Sequence, residues 1–346
     1  MSKILLAVII LNQVSSFAGE PDFLPIIRKS TQKLNPANEK DFPRILDLIA
    51  SSLVGKPYQL GPLGEGPGSE HPEPLYRLDV FDCTTFIETV MANAYCFRAG
   101  TGMGRCLERR MREIRYAGGF VGFRERNHFP ELDWLPNNSN AGRLKSLEQD
   151  FFQGNWKDAS VSIDREQWLK ERMKSNPLHL QLKEKSARIA YLPVPLFFRK
   201  NELNEEAVRA IEKKAEEAIS ELQGESEPLS EEDAKNFKAK AKFRADLAYL
   251  KAAYAPIPEM LSQIPSGTIL SLIRIPEKSP EKAKISTIVA HQGLIVQRED
   301  GPHFIHAAAN MHKVKDQKLG DYLLRYVRSA NFRGISLHRI LWKLAP

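Results

Sequence analysis

Asp82-Cys83-Thr84-Thr85, followed by the apolar-rich stretch Phe86 to Phe97, reads as a capped, buried helix with a cysteine in its first turn. Asp82 is placed as the N-cap, because a short carboxylate ahead of an apolar helix accepts the free backbone N–H groups there. A thiol among those donors, at the positive end of the helix dipole, is expected to ionise more easily and to act as a nucleophile. Cys96 falls mid-helix, and Cys106 follows Arg105 with no capping signal. Cys83 is therefore the candidate nucleophile, against the plain alternative of a buried, inert thiol.

Cysteine hydrolysis also needs a base and a group to orient it. Among eight histidines, His291 lies inside Thr287-Ile288-Val289-Ala290-His291-Gln292-Gly293-Leu294-Ile295-Val296, and His306 inside Phe304-Ile305-His306-Ala307. An imidazole within an apolar strand must find a polar partner. Two of them on neighbouring strands suggest a base and its orienter. Asp300-Gly301 marks a hairpin between the strands. A tight turn there sets His291 opposite Asn310, whereas a wider loop centred near Arg298-Glu299 sets the two histidines side by side, so His306 and Asn310 both stand as orienters. A zinc site of Cys83, His303 and His306 has no Cys-x-x-Cys or His-Glu-x-x-His spacing behind it, and no metal or cofactor is expected.

Outward from these elements, Phe42 to Leu53 has the spacing of an amphipathic helix, with Ile45, Leu46, Leu48, Ile49 and Leu53 on one side. Gly55 to Pro74 is a Gly- and Pro-rich loop. Asn201 to Leu250 is dominated by Glu, Lys and Ala, and Gly224 to Pro228 breaks it into two arms, a solvated helical insertion. The last eighty residues or so read as strands: Gly267 to Ile275, Ile285 to Val296, His303 to Ala308 and Gly334 to Leu341.

The N-terminus has the order of a signal peptide: Lys3, the apolar run Ile4 to Leu11, then the cleavage pattern Ser16-Phe17-Ala18. The run is too short to span a bilayer. The mature protein is expected to be periplasmic or secreted, beginning near Gly19 as a single domain with no stable membrane insertion. Three cysteines in an exported chain is an odd count; a Cys96–Cys106 bridge, which leaves Cys83 free, stands open beside unpaired thiols. The net charge of +7, one less without Lys3, suits an anionic partner. Nucleic acid is not that partner: Arg105, Arg109, Arg110, Arg112 and Arg115 spread around a helix and alternate with Glu108 and Glu113.

Gly55-Lys56-Pro57-Tyr58, Phe81-Asp82-Cys83-Thr84-Thr85-Phe86, His291-Gln292-Gly293-Leu294 and Phe304-Ile305-His306-Ala307, in that order, resemble the NlpC-type papain-like cysteine peptidase superfamily. More closely, the chain resembles its AmiA-like branch of N-acetylmuramoyl-L-alanine amidases, with Arg126-Asn127-His128-Phe129, Asp133-Trp134 and Gly334-Ile335 as further matches. The resemblance implies an α+β papain-like fold, with a catalytic helix packed on a curved antiparallel sheet and helical insertions. It implies hydrolysis of the muramoyl–alanine amide of peptidoglycan fragments by Cys83, with His291 as base and His306 as orienter. Tyr58, Asp82, Thr84, Arg126, His128 and Trp134 become candidate substrate-binding residues. Arg126 and His128 also read as a structural cluster, and Trp134 as core. Two residues depart from the superfamily pattern beside the catalytic groups: Thr84 stands where serine is frequent, and Gln292 where valine is common. Alternatives are a γ-D-glutamyl-diaminopimelate endopeptidase and a non-catalytic wall-binding protein.

Overall fold

The computed structural model describes residues 34–35, 38–99, 103–172, 185–203, 205–223, 243–274 and 287–342. The expected signal segment and the expected break at Gly224 to Pro228 lie outside them. Helix α1, Phe42–Ser52, begins with a proline in its first turn, where a missing N–H costs no hydrogen bond. It buries Phe42, Ile45, Leu46 and Ile49. Helix α2, Cys83–Ala99, is buried around most of its circumference, with Phe86, Ile87, Val90, Met91, Ala94 and Tyr95 all inside. Such a helix belongs at the centre of a fold. Helix α3, Met103–Arg115, is joined to it by a disulfide between Cys96 and Cys106, whose Cα atoms are 5.7 Å apart. The open pairing is thereby settled, and Cys83 is the free thiol.

Among the described residues, eight strands form one sheet: β1 (Leu144–Ser146), β2 (Lys157–Ile163), β3 (Lys185–Pro193), β6 (Thr268–Arg274), β7 (Val289–Arg298), β8 (Gly301–Ala308), β9 (Lys313–Lys318) and β10 (Phe332–Ile340). Their order is β2-β3-β10-β6-β7-β8-β9, with β1 also on β10, and every ladder is antiparallel. Strands β4 (Phe198–Lys200) and β5 (Tyr254–Pro256) make a separate ribbon. Central β6 is buried at every position but Arg274 because both faces of the sheet are covered. Side chains alternate: Ile269 and Ile273 join the core under α1, α2 and α3, while Leu270 and Leu272 join a second core with Leu192, Phe197, Phe304, Tyr322 and Leu337.

The fold is the expected mixture of helices and a mostly antiparallel sheet, with two departures. Strands β1, β2 and β3 lie ahead of the C-terminal region where the strand pattern was read. Strand β9, Lys-Val-Lys-Asp-Gln-Lys, carries almost no apolar signal because it is a sheet edge, where charged residues discourage pairing with other chains. In the charged insertion, helix α4 covers Glu205–Gln223 and residues 243–253 are helical.

Candidate active site

The head of α2 is held by a reciprocal cap. Asp82 Oδ1 accepts the Thr85 N–H at 2.8 Å, and Thr85 Oγ1 accepts the Asp82 N–H at 2.9 Å. This is a capping box with threonine in the return position. The other Asp82 oxygen accepts the Gly61 N–H at 3.0 Å, which ties the Gly55 to Pro74 loop to the helix. From below, Arg115 donates to the carbonyls of Gly64 and Leu75, at 3.3 and 2.9 Å. Gly64 has no room for a side chain: a Cβ would stand 2.2 Å from the His71 carbonyl oxygen.

Cys83 therefore sits half-buried at the first helical position. Its sulfur receives the backbone N–H of Gln292, the residue after His291, and contacts the Thr84 hydroxyl at 4.0 Å. The expected fall in thiol pKa is not found. Burial, then the charge of Asp82, push Cys83 up to about 11, outweighing the donors from Gln292 and Thr84. The capping carboxylate that fixes the helix start is thus also what opposes the helix dipole at sulfur.

His291 and His306 meet: His291 Nε2 is 2.7 Å from His306 Nδ1. Neither expected register brings them together. The β7–β8 ladder pairs Arg298 with Gly301, so the turn residues are Glu299 and Asp300, and the pairing runs to Leu294↔Ile305. Continued one step, this register sets Gly293 opposite His306, with His291 on the diagonal of the same face. Gly293 is required there, since a Cβ would lie 2.7 Å from His306 Cβ and 2.4 Å from the Phe304 ring. The missing side chain lets His306 lean across to His291. A bulge in β7, where Leu272↔His291 gives way to Ile273↔Val289, lies beside His291 and redirects its side chain. Asn310 is exposed in the turn Ala309–Met311 and is not the partner. Burial holds His291 down to about 4 and His306 lower still, so the resting thiol and both imidazoles are neutral at neutral pH.

Tyr58 stands beside the thiol. Its backbone N–H donates to the His312 carbonyl at 2.9 Å, and burial followed by the charges of Cys83 and Asp82 raise its hydroxyl pKa, so it remains a donor. Tyr322, on α5 (Leu319–Leu324), has no motif in the sequence yet closes the far side of the pair. Its ring centre is 5.1 Å from that of His306 and 6.3 Å from that of His291, and the Cys83 charge also acts on it. Behind His306 stand Gln317 and Arg325, which the sequence also did not mark.

Other candidates fall elsewhere. Trp134 is 0% exposed and donates to Glu88 at 3.0 Å, so it is core and offers no surface to a substrate. Arg126 is taken by the buried carboxylate of Glu65 at 2.6 Å. His128 donates to the Phe123 carbonyl at 2.5 Å and packs against Trp168, and burial lowers its pKa to about 3. These two form a structural cluster. His303 projects from the other face of β8 to Asp316, 2.7 Å away, and does not join Cys83 and His306. His338 is buried with Nδ1 unpartnered, and His179 lies outside the described residues.

Residues 48–213 match the AmiA-like family, described as N-acetylmuramoyl-L-alanine amidase-like. No curated protein matches the sequence. Among solved structures, the chain resembles a DUF1460 family protein of Legionella pneumophila, with a TM-score of 0.65 and 21% identity, covering 93% of this chain and 95% of that one. It also resembles an N-acetylmuramoyl-L-alanine amidase of Bacteroides uniformis, with a TM-score of 0.52 and 17% identity, covering 87% and 99%. At these identities the likeness is one of fold. The family match carries Cys83 but stops before the histidine hairpin, and it supports a peptidoglycan amidase.

Proposed function

We propose that this chain is an exported NlpC-type papain-like cysteine amidase that hydrolyses the bond between N-acetylmuramic acid and L-alanine in peptidoglycan fragments. The observation that carries the reading is the thiol at the capped head of α2, bonded to the backbone of Gln292, with the adjacent His291 held by His306 at 2.7 Å. The Cys96–Cys106 disulfide suits an oxidising compartment, which supports export.

With His291 Nε2 engaged by His306, Nδ1 is the nitrogen left for sulfur. The Cys83 proton moves to His291 as sulfur attacks the lactyl carbonyl carbon, and the carbonyl oxygen takes up the negative charge. The Cys83 N–H, in the first turn where helix donors have no intrahelical partner, and the Tyr58 hydroxyl are the available donors for that oxyanion. Collapse breaks the C–N bond, and His291 returns its proton to the alanine amine. A water, deprotonated by His291, then cleaves the lactyl thioester and restores the thiol. Digestion of one defined muropeptide tests the reading by product mass. A free amino sugar acid plus an intact stem peptide is expected. A sugar still bearing alanine and glutamate assigns the γ-D-glutamyl-diaminopimelate endopeptidase instead.

A further inference from the structure

Gln317 Nε2 lies 2.5 Å from His306 Nε2, and Arg325 Nη2 donates to Gln317 Oε1 at 3.0 Å. A guanidinium has donors and no acceptor, so it requires the amide oxygen and leaves the Gln317 NH2 facing His306. His306 Nε2 must then accept, which puts the His306 proton on Nδ1. That proton points along the 2.7 Å contact to His291 Nε2. A neutral His291 that accepts at Nε2 carries its own proton on Nδ1, the nitrogen it has left for Cys83.

The proposed reaction needs the reverse, a bare Nδ1 to take the thiol proton and an acceptor at Nε2 to hold the imidazolium. We propose that Gln317, held by Arg325, is a positioning residue that sets the tautomer of the His291–His306 pair and keeps it from accepting the thiol proton until the Gln317 amide turns over. This rests on His291 being the base under the proposed function. After rotation, Gln317 Oε1 accepts from His306 Nε2–H. The His306 Nδ1 proton passes to His291 Nε2, His291 releases its Nδ1 proton to water, and His306 Nε2 takes one from water, so the proton count is unchanged. The groups around the pair are Phe304 on β8, Tyr322 on α5, which also feels the Cys83 charge, Lys315 opposite His306 on β9, and Arg325 behind His306.

Two variants of the full chain test the proposal without a substrate. Gln317→Glu supplies a carboxylate that accepts from both Arg325 and His306, and Arg325→Met frees the Gln317 amide to rotate. Cys83 is the one cysteine outside the disulfide, so its iodoacetamide alkylation can be followed against pH by mass. Both variants are expected to move the alkylation midpoint down by about one pH unit, or about tenfold in rate at neutral pH. Histidine 15N spectra are expected to show the His306 proton on Nδ1 in the wild type and on Nε2 in Gln317→Glu. An unmoved midpoint in both folded variants, or a wild-type His306 protonated at Nε2, overturns the proposal. A merely structural role lowers the melting temperature and leaves the midpoint in place. Failure of the wild type to cleave muropeptides would overturn the amidase reading and leave the tautomer result standing.

Discussion

Thr84 on the cysteine helix donates to Gln292 on the histidine strand, Oγ1 to Oε1 at 3.3 Å, although the two are 208 residues apart in sequence. Each stands next to a candidate catalytic group, and each departs there from the pattern the chain resembles. The departures are therefore one feature. Gln292 is 1% exposed and passes the bond on by donating to Ser271 on β6 at 3.1 Å. A valine at 292 would leave Thr84 without this partner; serine at 84 would keep it.

Thr84→Val and Gln292→Val are each expected to slow hydrolysis several-fold, in keeping with about 1 kcal/mol for a lost hydrogen bond. Thr84→Ser is expected to hold near wild-type rate. A double-mutant cycle should give a coupling of about 0.5–1 kcal/mol, and strictly additive losses would show that the pair does not act as a unit.

Asp82→Asn removes the charge that ranks second, after burial, in raising the Cys83 pKa. The alkylation midpoint of Cys83 is expected to fall in this variant. The loss of the acceptor for Gly61 N–H is expected to lower the melting temperature by a few degrees, in keeping with about 1 kcal/mol. A midpoint that stays or rises would remove Asp82 from the electrostatics of the thiol.

The buried Glu88–Arg115 pair, 3.1 Å apart and each about 5% exposed, holds α2 to α3. Burial raises Glu88 to about 7 despite Arg115. Arg115→Met leaves that carboxylate with Trp134 Nε1 but no counter-charge, and takes the Arg115 donor from the Leu75 carbonyl, while Gly64 keeps the Tyr116 hydroxyl. A loss of about 3–5 kcal/mol in unfolding free energy is expected by chemical denaturation. A loss below about 1 kcal/mol would show that the pair is dispensable.

Burial also lowers His338 and His291 to about 4 and His128 to about 3. Unfolded histidine titrates near about 6.5, so between these values the unfolded chain binds more protons than the folded one. Stability is then fully present above the unfolded value and is lost as pH falls through the folded ones. Glu88 and Glu131 work in the opposite sense, their raised pKa values costing stability as pH rises, but they are two groups against four buried histidines. Calorimetry should find the melting temperature falling steadily from about pH 6.5 to 4, with His338→Leu flattening the slope. A level profile contradicts this.

What was legible in the sequence was local. Asp82 ahead of an apolar run gave the α2 cap, and the spacing of Ile45, Leu46 and Ile49 gave α1. The ends of the histidine hairpin followed from its apolar runs. The rest depends on contacts that no window contains. The turn falls at Glu299 and Asp300, midway between the two registers read from the sequence, and the choice of His306 over Asn310 rests on the missing side chain at Gly293 and on β8 ending at Ala308. The thiol pKa depends on how much protein surrounds Cys83 and on the Asp82 charge, which oppose the dipole that position alone suggests. Gln317, Tyr322 and Arg325 lie in charged or mixed segments and acquire meaning only from facing His306.

The central claim is that the Cys83 sulfur forms and breaks the acyl bond. Hydrolysis of a defined muropeptide by the wild type and by Cys83→Ala, matched in melting temperature, tests it most directly. The account predicts release of the whole stem peptide by the first and none by the second. Stem release that persists in Cys83→Ala would contradict it.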